Sequence, residues 1–214
     1  ANDVLTYAIS GGTADSITPV SIFEQSMTAI VQMLIQNGAK GAIANIPDIS
    51  SIPFFSTISK SLPYNGLVLS ADEATQLNGA YAQFEAYLQS LGITYSYGIS
   101  FNEGPNPFII QDLEIPLPAP FNVRQMQEDE LFLLTLPSDS LLCYGMGVPS
   151  PDHPELGPNA IPASYVLSHN DIHKIQNTID EYNSIIQSLA QTYDLAFVDA
   201  YSYMQQLETG FVFN

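Results

Sequence analysis

Positive charge is the scarcest commodity in this sequence: Lys40, Lys60, Arg124 and Lys174 are its only lysines and arginines, against 22 aspartates and glutamates in 214 residues. The acidic count is ordinary for the length, and the shortage of cations is what produces a formal net charge of -18. So few cations cannot neutralise a phosphate backbone or hold an anionic leaflet, which excludes nucleic acid and acidic lipid as partners. The charge balance fits an acidic, soluble surface suited to salty or extracellular water. Cysteine is equally scarce. Cys143 stands alone, so neither an internal disulfide nor a cysteine-based zinc site can be built within the sequence. No run approaches the ~18 apolar residues of a membrane helix, and the first residues do not read as a signal peptide.

Several catalytic signatures are missing too. No G-x-S-x-G elbow occurs, so an ordinary α/β-hydrolase nucleophile is not encoded. The "GGT" of Gly11, Gly12 and Thr13 lacks the lysine and spacing of a P-loop, and no G-x-G-x-x-G follows a strand-like run, so no nucleotide cofactor is implied. Cys143, in the apolar "LLCYGMG" with no histidine near it in sequence, reads as a small buried thiol. His169 and His173 stand at i, i+4 in "HNDIH" with Asp171 between them, and can be drawn as a metal site. A zinc-protease helix needs glutamate directly after the first histidine and a third ligand elsewhere; neither is apparent, so the pair reads as polar first-turn residues of a capped helix and no metal is expected. His153, among the prolines of "PDHPE", reads as a loop residue. Glu128 with Glu130, and Asp180 with Glu181, suggest paired glycosidase carboxylates, but both pairs read as solvated faces.

What is present is the material of a core. Hydrophobic residues make up 46% and aromatics 11% of the chain, and the length suits one domain over residues 1–214. Pro19 opens a helix whose apolar stripe runs Phe23, Met27, Ile30, Val31, Leu34, Ile35, with Gly38 to end it. The apolar run 42–46 follows and predicts a strand buried on both faces. A second unit begins at "SADE", where Ser70 and Glu73 have capping-box spacing, and continues through Leu77, Tyr81, Phe84, Leu88 and Leu91 to Gly92 and an extended "ITYSY". The proline-rich "GPNPFIIQDLEIPLPAP" predicts loop with a short strand at 108–110, and "ELFLLTLP" is ambiguous between strand and buried helix. A second proline-rich loop, "VPSPDHPELGPNAIPAS", precedes a helix that Ser168 and Asp171 can cap, with Ile172, Ile175, Ile179, Tyr182, Ile185, Ile186 and Leu189 on its buried face. "DLAFVDA" then reads as another buried strand. This alternation predicts an α/β fold with helices around a mostly parallel sheet and two long proline-rich insertions.

One set of segments carries a further signal. "NDVLTYAISGGT", "NGAKGAIANIPDISSIPFFSTI", "PYNGLVL", "RQMQEDELFLLTLPSDSL" and "YNSIIQSLAQTYDLAFVDAYSYMQQL" together resemble the SGNH/GDSL hydrolases, in particular the bacterial lipase- and esterase-like, Bacteroidetes envelope type. The resemblance runs over essentially the whole chain and is strongest at "ANIPDISSIPFF" and "LLTLPSDSL". It implies a flavodoxin-like three-layer fold and a serine ester hydrolase working through an acyl-enzyme on a small-molecule, lipid or carbohydrate ester. It also implies a secreted or envelope location, with a lipid anchor among the possibilities, and no cofactor. Within that family a G-x-N-D block supplies an oxyanion-hole asparagine, and "AND" matches its last three positions, so the resemblance makes Asn2 that donor and Asp3 its structural neighbour. A donor aimed at the developing oxyanion is worth roughly 3–4 kcal/mol. The sequence departs from the family where the chemistry is completed: it has no G-D-S block and no D-x-x-H block, and Asp199 in "FVDAYSY" has no histidine three residues on. The expectation is therefore an internal fragment, incomplete at both ends and inactive alone. A non-catalytic envelope binding module on the same scaffold is the alternative from a different class.

Overall fold

The structure is a computed structural model and describes residues 2–13, 17–49, 52–137 and 159–208. Cys143, His153 and most of the second proline-rich loop lie outside the described residues. In chain order the helices and strands are α1 (Asn2–Ile9), α2 (Val20–Ile35), β1 (Ala42–Ala44), α3 (Pro53–Ser61), β2 (Leu67–Leu69), α4 (Ala71–Ser90), β3 (Gly104–Asn106), β4 (Ile109–Gln111), β5 (Val123–Gln125), β6 (Leu131–Phe132), β7 (Val166–Leu167), α5 (His169–Thr192), β8 (Ala196–Val198) and α6 (Ala200–Glu208). The fold is mixed α/β with small sheets. Among the described residues the strands pair two by two: β1 with β8 in parallel, and β2 with β3, β4 with β5 and β6 with β7 antiparallel. The chain divides into two compact units, residues 1–53 with 170–214 and residues 54–169.

In the first unit α5 supplies more of the core than any other element. Ile172, Ile175, Ile179, Tyr182, Ile186 and Leu189 recur at three- and four-residue spacing and are buried, with Ile185 half-buried beside them. Helix α1 adds Val4, Tyr7 and Ala8. Pro19 precedes α2 with φ of -57°, already set for the first helical turn, and Gly38 takes φ of +74° just beyond the helix. The expected α2 stripe is only partly realised. Phe23 stacks on Tyr182 with ring centroids 3.8 Å apart and Val31 is buried, but Leu34 is 70% and Ile30 50% exposed. The two strands expected to be buried are corrected similarly: β8 is exposed along its length, and in β1 only Ile43 is half-buried. Burial of a parallel strand on both faces requires neighbouring strands and covering helices. Among the described residues this sheet has two strands.

The second unit is organised by α4 and β4. Ser70 caps α4 through a full capping box, its hydroxyl accepting from the Glu73 amide while Glu73 reaches back to the Ser70 amide at 2.8 Å. Leu77, Tyr81, Phe84 and Leu88 then pack with Tyr97, Phe101, Ile109 and Val123. Alternation along β4 sends Ile109 into that cluster and Phe108 and Ile110 into another, with Met126, Phe132, Ile161 and Val166. A short apolar run buried on both faces thus occurs here, in an antiparallel pair. "ITYSY" forms no strand, and "ELFLLTLP" resolves as the short strand β6 followed by turns.

Glu130 corrects the reading of its acidic run as a solvated face. It is 2% exposed. Arg124 donates to both its carboxylate oxygens and, through Nε, to Asp112 Oδ2 at 2.5 Å. The Gln127 and His169 amides complete the carboxylate's shell at 2.7 and 3.0 Å. An anion can be buried when its charge is matched and its lone pairs are filled, and residue spacing alone does not reveal that partner. In contrast, the Tyr81 hydroxyl and Asn122 Oδ1 are buried without a hydrogen-bond partner among the described residues, and burial raises the Tyr81 hydroxyl far above the usual phenol range.

Two substitutions test this account by urea unfolding. Arg124→Ala leaves Glu130 buried without its counter-charge and is expected to cost about 3–5 kcal/mol. Tyr81→Phe removes an unsatisfied hydroxyl and is expected to leave stability unchanged or raise it by up to about 1 kcal/mol. A marked loss in Tyr81→Phe would show that the hydroxyl is satisfied.

Candidate functional site

Asn2 is the first residue of α1, and its side chain is exposed. Its carbonyl accepts the Thr6 hydroxyl at 2.8 Å, an ordinary i to i+4 contact within the helix. Asp3 is placed differently. It is half-buried, and its Oδ2 accepts from the Thr18 amide at 2.8 Å. Burial works against its charge, but the Thr18 hydroxyl and amide hold the carboxyl well below the usual carboxylate range. The Tyr182 hydroxyl donates to the Thr18 carbonyl at 2.5 Å. Burial and then the Asp3 charge push that hydroxyl up to about 12. Asp3, Thr18 and Tyr182 thus tie the start of α1 and the segment before α2 to the middle of α5, leaving Asn2 outward on a fixed helix end.

A second cluster lies at the other end of α1. The Tyr7 hydroxyl donates to Asp171 Oδ1 at 2.5 Å, and Lys174 Nζ donates to the same hydroxyl at 3.1 Å while lying 4.2 Å from the ring centroid. Gly12 closes against this group. It has φ of +72°, and a Cβ there would stand 2.5 Å from an Asp171 carboxylate oxygen. Both facts require glycine. The "GGT" that fails as a phosphate loop is therefore a close backbone approach to a carboxylate.

His169 Nδ1 lies 2.5 Å from Asp129 Oδ2, both side chains partly exposed. His173 is exposed one turn further along α5. Asp180 and Glu181 are exposed, as expected of a solvated face.

The carboxyl ends of β1 and β8 hold a constellation that sequence reasoning missed. Asn45 follows β1 and Asp199 follows β8. Asn45 Nδ2 donates to Asp199 Oδ1 at 2.8 Å, and Asn45 Oδ1 accepts from the Tyr201 amide at 2.8 Å. Asp199 also accepts from the Ser202 amide at 3.1 Å, three residues on, which makes it the N-cap of α6. Its carboxyl is held low by the Ser202 hydroxyl and amide and then by Asn45. Asn183 of α5 clamps the same loop, accepting from the Ile46 amide at 2.7 Å and donating to the Ile46 carbonyl at 2.9 Å. An aspartate directly before a helix was the available signal for the cap; its tie to Asn45 is not readable across so many residues.

No protein-family model, curated protein or solved structure matches the chain.

The α1 anchor has a definite pH signature. The folded pKa of Asp3 lies below its unfolded value of about 3.9, so its stabilisation is complete above that value and is lost as pH falls through the folded pKa. Asp3→Asn is expected to cost about 1–2 kcal/mol at neutral pH. The gap from the parent should narrow below about pH 4; urea midpoints measured across that range check it, and a pH-independent gap would remove the charge from the explanation. Gly12→Ala combines a left-handed φ with a collision at Asp171 and is expected to cost about 2 kcal/mol or more in the same assay.

Proposed function

We propose that Asn2 is the oxyanion-hole donor of a serine ester hydrolase of the SGNH/GDSL type, with a small-molecule, lipid or carbohydrate ester as substrate. The observation that carries this reading is the placement of Asn2 and Asp3. Asn2 is exposed at the first residue of a helix whose end is held by the Asp3–Thr18 contact, so its amide is presented outward by a structural neighbour with a different task. An oxyanion donor contributes most when it need not reorient as charge develops on the ester carbonyl oxygen, and the held helix end fixes the backbone from which Asn2 projects. The parallel β1–β8 pair, each strand preceded by a helix, is compatible with the three-layer, mostly parallel arrangement such an enzyme requires, and that arrangement is part of the proposal.

The chemistry assigned to Asn2 is one step of acyl transfer. A serine hydroxyl adds to the ester carbonyl as histidine takes its proton, and the carbonyl oxygen becomes an oxyanion that the Asn2 amide stabilises. The alcohol then leaves with a proton, and water repeats the sequence on the acyl-enzyme. The serine, aspartate and histidine are assigned to no residue of 1–214. A secreted or envelope location belongs to the same proposal.

Residues 1–214 alone are expected to give no turnover of p-nitrophenyl acetate or butyrate. In any longer gene product enclosing them, Asn2→Ala is expected to lower kcat about 10²–10³-fold with KM nearly unchanged. Turnover by 1–214 that a serine reagent abolishes, or an enclosing product whose kcat ignores Asn2→Ala, overturns the assignment.

A further inference from the structure

The constellation at the carboxyl ends of β1 and β8 borders an open groove of about 390 Å³. That volume is within the range of small-molecule sites, about 300–1,000 Å³. In open α/β sheets the carboxyl ends of parallel strands are where ligand crevices form. Four features of its lining narrow the ligand class.

Hydrogen-bonding side chains dominate: Gln187 offers an amide, and Tyr201 and Ser202 offer hydroxyls. Asp180 and Asp199 add carboxylates, and Asp199 is fixed in place by its bonds from Asn45 and Ser202. Among the described residues no lysine or arginine lines the groove, so a phosphate or carboxylate ligand would meet the negative charge of Asp180 and Asp199. Finally, Phe197 of β8 lines the groove with 38% of its surface exposed, an apolar ring beside polar neighbours.

Carboxylates and amides that accept from hydroxyls, next to an aromatic face for C–H groups, match a neutral polyhydroxylated ring. We propose that this groove binds the neutral sugar moiety of a glycoside, with Phe197 under the ring and Asp180, Asp199 and Gln187 around its hydroxyls. Its rim is held without the ligand, since Asn45, Asn183, Asp199 and the Tyr201 and Ser202 amides already bond one another or the Ile46 backbone. Such preorganisation limits the ordering cost of binding. The site is separate from the acyl-transfer role of Asn2, and a binding measurement tests it whatever the outcome with esters.

Saturation-transfer NMR on residues 1–214 with methyl β-glucoside, methyl β-galactoside and N-acetylglucosamine provides the test. At least one of these is expected to bind with a millimolar Kd. Gln187→Ala and Phe197→Ala should each weaken it by about tenfold, roughly 1.4 kcal/mol, and glucose 6-phosphate should bind at least about tenfold more weakly than glucose. Asp180→Asn, on the exposed face of α5, serves should Phe197→Ala fail to fold as judged by circular dichroism. Absence of binding by all three neutral sugars overturns the proposal. So does affinity unmoved in the folded variants, or glucose 6-phosphate bound as tightly as glucose.

Discussion

A buried carboxylate with one cation to match it organises the second unit. Glu130 receives Arg124 through both terminal guanidinium nitrogens and the Gln127 and His169 amides, while Arg124 Nε bonds Asp112. The groups drawn to this point come from β5, the turn before β6, the exit of β4 and the start of α5. Desolvating two carboxylates and a guanidinium is costly, and mutual attraction offsets it only where the remaining polar atoms are also filled. Arg124 is the sole arginine in a sequence short of cations, and its fork geometry is what lets one side chain serve two carboxylates. Its register therefore fixes where β4, β5 and the 127–130 turn can sit, and the apolar clusters fill in on either side of β4.

The first unit solves a comparable problem by holding single backbone units with side chains. Thr18 is held from two sides, by Asp3 at its amide and by Tyr182 at its carbonyl, and Asn183 treats Ile46 in the same manner. Through these contacts the start of α1, the segment before α2 and the loop after β1 are tied to α5. Helix α5 thus acts as the spine from which both the Asn2 helix end and the sugar groove are positioned. The two candidate sites share this support while differing in chemistry: Asn2 projects a single donor, whereas the groove gathers acceptors around an aromatic ring.

Local, periodic features were legible in the sequence. The Ser70–Glu73 box, the α5 stripe and the glycine stops at Gly38 and Gly92 involve neighbours within a turn or two, and the structure has them. The helix-to-strand order feeding a parallel pair was legible for the same reason. Burial was not, because it depends on what arrives from elsewhere in the chain. Glu130 looked solvated until Arg124 was placed beside it, and Leu34, Phe197 and Val198 looked like core although they face outward. The sugar groove was invisible at this level, since Asn45 after β1 and Asp199 after β8 meet Asp180 and Gln187 of α5 only in the folded chain. The close approach of Gly12 to Asp171 shows how a familiar-looking glycine pair can serve packing in place of phosphate binding.

Among the described residues the β1–β8 pair is largely exposed, and that has a colloidal meaning. Among the described residues each strand has one partner strand, and Phe197 and Val198 are exposed on β8. Edges of that kind are templates for strand addition by another molecule. The surplus of negative charge also makes every copy repel every other, and that repulsion weakens as salt rises. The acidic surface is in this sense the guard of an open sheet, and ionic strength sets how well it keeps watch.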